Sequence, residues 1–387
     1  MKILKLRKSV LRVLVLDACV AGCTLLPGGV QAASHTPLSV TVTAADQKAA
    51  EGASATPIRL LAVKGPNGVA AQTTRFPGAV QNRSAGDAAS SDPSFVQSGV
   101  RYTGDVTYLG GAVIAGAQQH VIYLLPNGSC PIATCWGDPE GFLADLSKSR
   151  FVHLADQYVG ASGPDRYPVG QSSSLSFAAP RNFSSGSTPL TDADMQAAVH
   201  AVAKASGQTG YGHIYHVLLP QGADVCTDTT YSNCYAPDSG AQWLFCGYHG
   251  SVDFTDIGHV VYAVEPYQDV STPTVFTAKP GTCAVQPNTP NGTLVDSTDN
   301  LLSRLTFGTI TDPDGSGWVN ATDLVFFNTE ISDECTFADA VLQNPATGNF
   351  EDVFFFVDVF RVASHRYGLL PIYDNAHHAC TIGPSAE

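Results

Sequence analysis

Basic residues are scarce in this chain: 20 Lys and Arg stand against 34 Asp and Glu, a formal net charge of −14. A surface of that sign repels nucleic acid and anionic lipid, so neither is expected as a partner. Beyond the first 26 residues no stretch is long and apolar enough to span a membrane, so no transmembrane span is expected. No Gly-x-Ser-x-Gly elbow occurs, which leaves a serine hydrolase without its signature, and no phosphate-cradling glycine loop occurs either. The cysteines show no paired Cys-x-x-Cys spacing, which weighs against a zinc site built from them. No internal repeat is visible.

What is present begins with an export signal. Lys2, Lys5, Arg7, Lys8 and Arg12 precede an apolar run from Val13 to Leu26, broken by Pro27-Gly28-Gly29 and followed by the small-residue cleavage site Val30-Gln31-Ala32. Residues 1–32 therefore read as a secretory signal peptide, and the chain as secreted or periplasmic. Val20-Ala21-Gly22-Cys23 is similar to a lipobox, so a lipid anchor through Cys23 is the alternative. Loss of residues 1–32 leaves 15 basic and 33 acidic side chains, a net charge of −18 that serves solubility.

Eight cysteines then remain: Cys130, Cys135, Cys226, Cys234, Cys246, Cys283, Cys335 and Cys380. An even count in an exported chain reads as disulfides. Short loops favour Cys130–Cys135 and Cys226–Cys234, which would leave Cys246–Cys283 and Cys335–Cys380 to staple distant segments, although spacing does not fix the connectivity. Asn82, Asn127, Asn182, Asn291 and Asn320 stand in glycosylation sequons, which matter only in a eukaryotic host.

Residues 33–98 are rich in Ala, Gly, Ser, Thr and Pro, with little periodicity apart from Ile58 to Val63, and read as a flexible, propeptide-like arm. A single domain is expected over residues 99–387. Strands are expected at His120–Leu125, His213–Leu219, Trp243–Tyr248, His259–Val264 and, finally, Val353–Val362. Helical spacing runs from Pro139 to Tyr158 with one break. Thr191 with Asp194 resembles a capping box ahead of Met195, Val199 and Val202, and a further helix is expected over Asp296–Thr309. Strands separated by helices indicate an α/β or α+β class, a mixed sheet flanked by helices and stabilised by disulfides.

The segment from Asp296 to Cys335 carries the sharpest motifs. Thr311-Asp312-Pro313, four residues, then Trp318, followed by Glu330-Ile331-Ser332-Asp333-Glu334-Cys335, resembles the exordium, or phosphate-induced, family. There the equivalent stretch runs Ser-His-Glu-x-x-Glu-x-x-Thr-Asp-Pro-x4-Trp and then Glu-Ile-x-Asp-x-Cys. Gly110-Gly111-Ala112-Val113-Ile114, Cys246-Gly247-Tyr248-His249 and Tyr373-Asp374-Asn375 before Cys380 resemble further elements of that family, in its order. The resemblance implies a secreted protein, tied in plants to the cell wall and growth, with a zincin-like helix of metallopeptidase ancestry.

Counting back from Pro313, the His-Glu-x-x-Glu positions fall on Arg304, Leu305 and Gly308. A guanidinium stays protonated, and Leu and Gly offer no donor, so zinc is not expected. His249, Glu330 and Asp333 are the remaining candidates for a cleft beside that helix. If they converge there, a divergent metal-dependent peptidase or other hydrolase is the alternative. If Arg304 pairs with Asp312 or Glu330, the old site has become a structural ion pair. The main expectation is a non-catalytic protein that binds an extracellular or cell-surface ligand of unknown identity or serves structurally.

The same stretch fits an EF-hand-like calcium loop, with Asp312, Asp314, Ser316, Asn320 and Asp323 at positions one, three, five, nine and twelve. A calcium-stabilised module is thus a third reading. His213 and His216 sit three apart on a strand, face opposite ways and cannot share an ion. His377-His378 is expected to be exposed.

Overall fold

A computed structural model describes residues 38–62, 105–125, 131–160, 177–178, 188–237, 239, 243–268, 283–285, 288–320, 329–335, 358–362 and 364–381. In chain order the elements are β1 (Leu38–Ser39), α1 (Ala44–Glu51), β2 (Ser54–Ala55), β3 (Arg59–Ala62), β4 (Thr107–Tyr108), β5 (Gln118–Tyr123), α2 (Ile132–Cys135) and α3 (Pro139–Lys148). A 3-10 turn over Val152–Gln157 supplies the expected break in the Pro139–Tyr158 helix. There follow β6 (Phe177–Ala178), β7 (Leu190–Thr191), α4 (Asp192–Ser206), β8 (His213–Leu218), β9 (Val225–Cys226), β10 (Cys234–Tyr235), β11 (Phe245–Phe254), β12 (Gly258–Glu265) and α5 (Thr293–Thr311). The last are β13 (Trp318–Val319), β14 (Asp358–Val362), β15 (His365–Leu369), β16 (Ile372–Asp374) and β17 (Ala379–Thr381).

Eight strands form a mixed sheet in the order β1-β6-β5-β8-β12-β11-β2, with β3 also on β11. The run from β1 to β12 is parallel, and β11 turns back antiparallel to β12 as the second arm of a hairpin. Alternation along the strands sends Tyr215, Val217, Tyr262 and Val264 into one core with α4, while Ile214, Leu218 and Val261 enter another with α3 and α5. Helices thus cover both faces. Helix α4 starts as its sequence implies: the Asp194 carboxylate accepts from the Thr191 amide at 2.9 Å.

Helix α5 is unusual, since every residue from Asp296 to Thr311 is buried. Several of its hydroxyls are satisfied within the helix. Thr309 donates to the Leu305 carbonyl and Thr311 to the Phe307 carbonyl, 2.5 and 2.8 Å away. Pro313, with no amide hydrogen, ends the helix just past Asp312.

Two expectations need correction. Part of the supposed arm, residues 38–62, is folded: α1 packs on α4, and β2 and β3 pair with β11. Its Ala-rich stretch reads as low complexity, yet Ala is the best helix former, and the Thr43–Asp46 capping box starts α1. Residues 63–98 lie outside the described residues. Val353–Val362 is not the last strand, since β15, β16 and β17 follow, and its first half also lies outside the described residues.

Three disulfides join Cys226 to Cys234, Cys246 to Cys283 and Cys335 to Cys380. Cys135 is disulfide-bonded as well, while Cys130 lies outside the described residues. Among the described residues no helix is long and apolar enough to cross a membrane. Residues 1–37, with the signal-peptide and lipobox readings, lie outside them too.

Candidate functional site

Strand β11 presents Gly247, His249 and Ser251 on its α5 side, two residues apart as the pleat requires. A Cβ on Gly247 would stand 3.0 Å from Leu301, and Ser251 reaches Asp314 in the turn after α5. His249 lies between them and faces Gly308. A side chain at Gly308 would stand 2.7 Å from Glu330 Oε2 and 3.0 Å from His249 Nε2. The space beside Gly308 is therefore filled by the imidazole and carboxylate of two other segments.

His249 and Glu330, expected to line a cleft, do meet: Nε2 lies 2.9 Å from Oε2 and 3.0 Å from Oε1, both side chains buried. Burial pushes His249 down to about 4 and Glu330 up to about 7, the latter pulled back by Arg59 and by a hydrogen bond from Asp312. The imidazole is neutral near pH 7. Its Nδ1 is buried with no hydrogen-bond partner among the described residues, so the proton is assigned to Nε2, which donates to Glu330.

Asp333 sits on the same turn but answers to Arg304 rather than His249. Arg304 is fully buried, donates to the Ser332 carbonyl and lies 3.6 Å from Asp333 Oδ1. Burial pushes the guanidinium down only to about 10, so it remains a cation. Burial and then Glu330 push Asp333 up to about 7 against the pull of Arg304. The alternative of Arg304 pairing with Asp312 or Glu330 is not what the fold adopts.

Asp312 pairs instead with Arg59 of β3, Nε to Oδ2 2.8 Å, and its other oxygen accepts from the Gly317 amide. Burial, then Glu330, pushes it up to about 7. Sequence reasoning missed Arg59. Its one signal is a basic residue inside the only strand-like stretch of the supposed arm.

Among the described residues the calcium-loop donors Asp312, Asp314 and Asn320 are each bonded to other partners. Asp312 is committed to Arg59 and Gly317. Asp314 accepts from Ser251 and Tyr211 and lies 3.4 Å from His259. These bonds outweigh burial and take Asp314 down to about 2. Asn320 donates to Glu334, and Trp318–Val319 pairs with β4, which draws this stretch into a strand rather than a loop. Ser316 lies against Gly111, and Asp323 lies outside the described residues. Among the described residues no three His, Cys, Asp or Glu side chains are arranged to hold a metal ion. The donor set does not fit zinc: His249 and Glu330 bond one another, and two guanidiniums flank the acids.

The other histidines fall as strand geometry requires. His216 bonds Glu265 and Gln119, while His213 meets His120. His377 and His378 are exposed beside Asp374 and Asp105. Comparison with family models, curated proteins and solved structures yields no match to this chain.

Proposed function

We propose that this chain is an exported, exordium-like protein of zincin-like fold whose metal centre has become a buried ion-pair network, and that it works by binding at the cell surface or outside the cell rather than by catalysis. Disulfides suit such an oxidising compartment. The family resemblance draws support from convergence: Cys246-Gly247-Tyr248-His249, Thr311-Asp312-Pro313 and Glu330 to Cys335, distant in sequence, contribute neighbouring side chains around Gly308. The long helix α5 packed beside the antiparallel strand β11 is consistent with a zincin-like arrangement.

The observation that carries the non-catalytic reading is Arg304. A permanent cation stands where the family places its first metal ligand, and the fold has built a carbonyl and a carboxylate around it. Elemental analysis of the purified mature protein tests this, paired with melting curves with and without chelator. Absence of stoichiometric zinc and no chelator shift agree with the proposal; stoichiometric zinc would overturn it. Calcium with a chelator-lowered melting point would favour the calcium-stabilised module.

The enzyme alternative rests on a separate observation. His249 and Glu330 meet, with Asp312 rather than Asp333 bonded to the Glu330 carboxyl, and burial pushes the Asp312 and Glu330 carboxyls up to about 7, the range useful to a general acid or base. Peptide hydrolysis that Glu330→Gln abolishes would favour that reading.

A further inference from the structure

We propose that the outer edge of β11, with Asp312 at its centre, is a binding groove for an extended peptide carrying an arginine, and that this chain fills it with its own residues 54–62. The inference rests on the reading of this site as one that binds.

Strand addition supplies the backbone half of the recognition. Ser54 and Ala55 pair with Asp253 and Val252, and Arg59 to Ala62 pair with His249 to Phe245, all antiparallel. Thr56 bridges the two runs, its amide donating to the Ser251 carbonyl at 3.0 Å. Without this segment β11 would be a bare sheet edge, a ready template for another extended chain.

Side chains supply the selective half. Arg59 stands opposite His249 in the ladder and bends into the turn after α5. Its Nε meets Asp312, and its Nη2 donates to the Gly315 carbonyl. Gly315, at φ +76°, lets the turn lie against the segment: a Cβ there would sit 3.3 Å from both Arg59 Nε and the Pro57 carbonyl oxygen. Asp312 and Glu330 lie where the guanidinium enters, so charge favours a basic occupant over an acidic one. Leu61, opposite Gly247 in the ladder, adds an apolar anchor by entering the core. The ligand class is thus an extended peptide with Arg followed by aliphatic residues.

The probe is a fluorescein-labelled peptide with the sequence of residues 54–62, beside a second peptide with Ala in place of its Arg. Polarisation is read on the full chain, on Arg59→Ala and on Arg59→Gln, which keeps a hydrogen-bond donor for Asp312. In the intact chain the covalently linked strand competes, so the Arg peptide should bind the variants at least about tenfold more tightly than wild type. The Ala peptide should lose at least about tenfold. Equal binding of both peptides, or no binding to variants that melt cooperatively, overturns the groove. So does failure of both variants to fold, since β3 is then an integral strand. Mass spectrometry of the recovered peptide separates this inference from the functional reading. A bound, cleaved peptide keeps the groove and ends the non-catalytic assignment. An unbound peptide on a zinc-free protein ends the groove alone.

Discussion

Arg59 and Asp312 meet across 2.8 Å although 253 positions separate them in the chain. The Asp312 carboxylate is wholly buried, whereas Arg59 keeps 15% of its side chain exposed. The pair joins the N-terminal strand β3 to the end of helix α5. It also decides what a carboxylate beside Glu330 costs, because no other cation touches Asp312 among the described residues.

Removal of one partner from a buried pair leaves the other charge stranded. Arg59→Ala should therefore destabilise the protein by about 3 kcal/mol, the lower part of the range for such deletions given the partial exposure of Arg59. Asp312→Asn in the same chain should recover part of the loss. Urea denaturation of the single and double variants measures both. Additive losses would show that the two side chains do not depend on one another.

Gly308 is held small by what faces it. Gly308→Ala places a methyl 2.7 Å from Glu330 Oε2 and 3.0 Å from His249 Nε2, both on buried, mutually bonded side chains. A loss of about 1–3 kcal/mol is expected, typical of overpacking. Glu330→Ala would make room, so the methyl should cost less in that background. If it costs the same there, the crowding lies elsewhere.

Much of this site was written in the sequence, but not its wiring. Alternation and spacing located β5, β8, β12, α3, α4 and α5 to within a few residues, because each carries a long apolar face, whereas β11 runs on past the expected Tyr248 to Phe254. His249 and Glu330 were legible as candidates for a cleft, but their meeting was not. Arg59 was not, because β2 and β3 are short edge strands whose stability comes from pairing with β11 rather than from a periodic pattern of their own. Asp312 and Asp314 matched a calcium spacing, yet a spacing fixes only which residues are available. Their partners, Arg59, Ser251 and Tyr211, come from segments that the local pattern does not contain.

The acids around His249 set an unusual pH dependence. Asp312, Glu330 and Asp333 keep their protons up to about 7 when folded, against ordinary values of 3.8 to 4.5. Across that window the folded chain holds more protons than the unfolded one, so stability falls as pH rises. His249 works the other way, since its folded value of about 4 lies below 6.5 and stability rises across that interval. Elsewhere His120 and His213, lowered by burial, act with His249, while Asp192, Glu265 and Asp299, raised by burial, act with the acids, which leaves a net decline between about pH 5 and 7. Urea midpoints taken from pH 5 to 8 should fall and then level, and Glu330→Gln should flatten the slope. A midpoint that climbs from pH 5 to 7 contradicts the assignment.

The disulfides should differ in what they hold. Cys335–Cys380 closes a separation of 45 residues and anchors the turn that carries Glu330 and Asp333, whereas Cys226–Cys234 spans only 8. Loop-closure entropy puts the first at about 4 kcal/mol and the second at about 2.5 kcal/mol. Cys335→Ser with Cys380→Ser should therefore cost more stability. It should also admit water to the His249–Glu330 pair, raising the imidazole from about 4 toward 6.5 as burial is relieved. Cys226→Ser with Cys234→Ser should leave that titration unchanged, because β9 and β10 belong to a separate three-stranded sheet. Denaturant melts and NMR titration of the His249 ring measure the two effects. Equal imidazole shifts in both pairs of variants would mean that the 330–335 turn holds its place without the bond to Cys380.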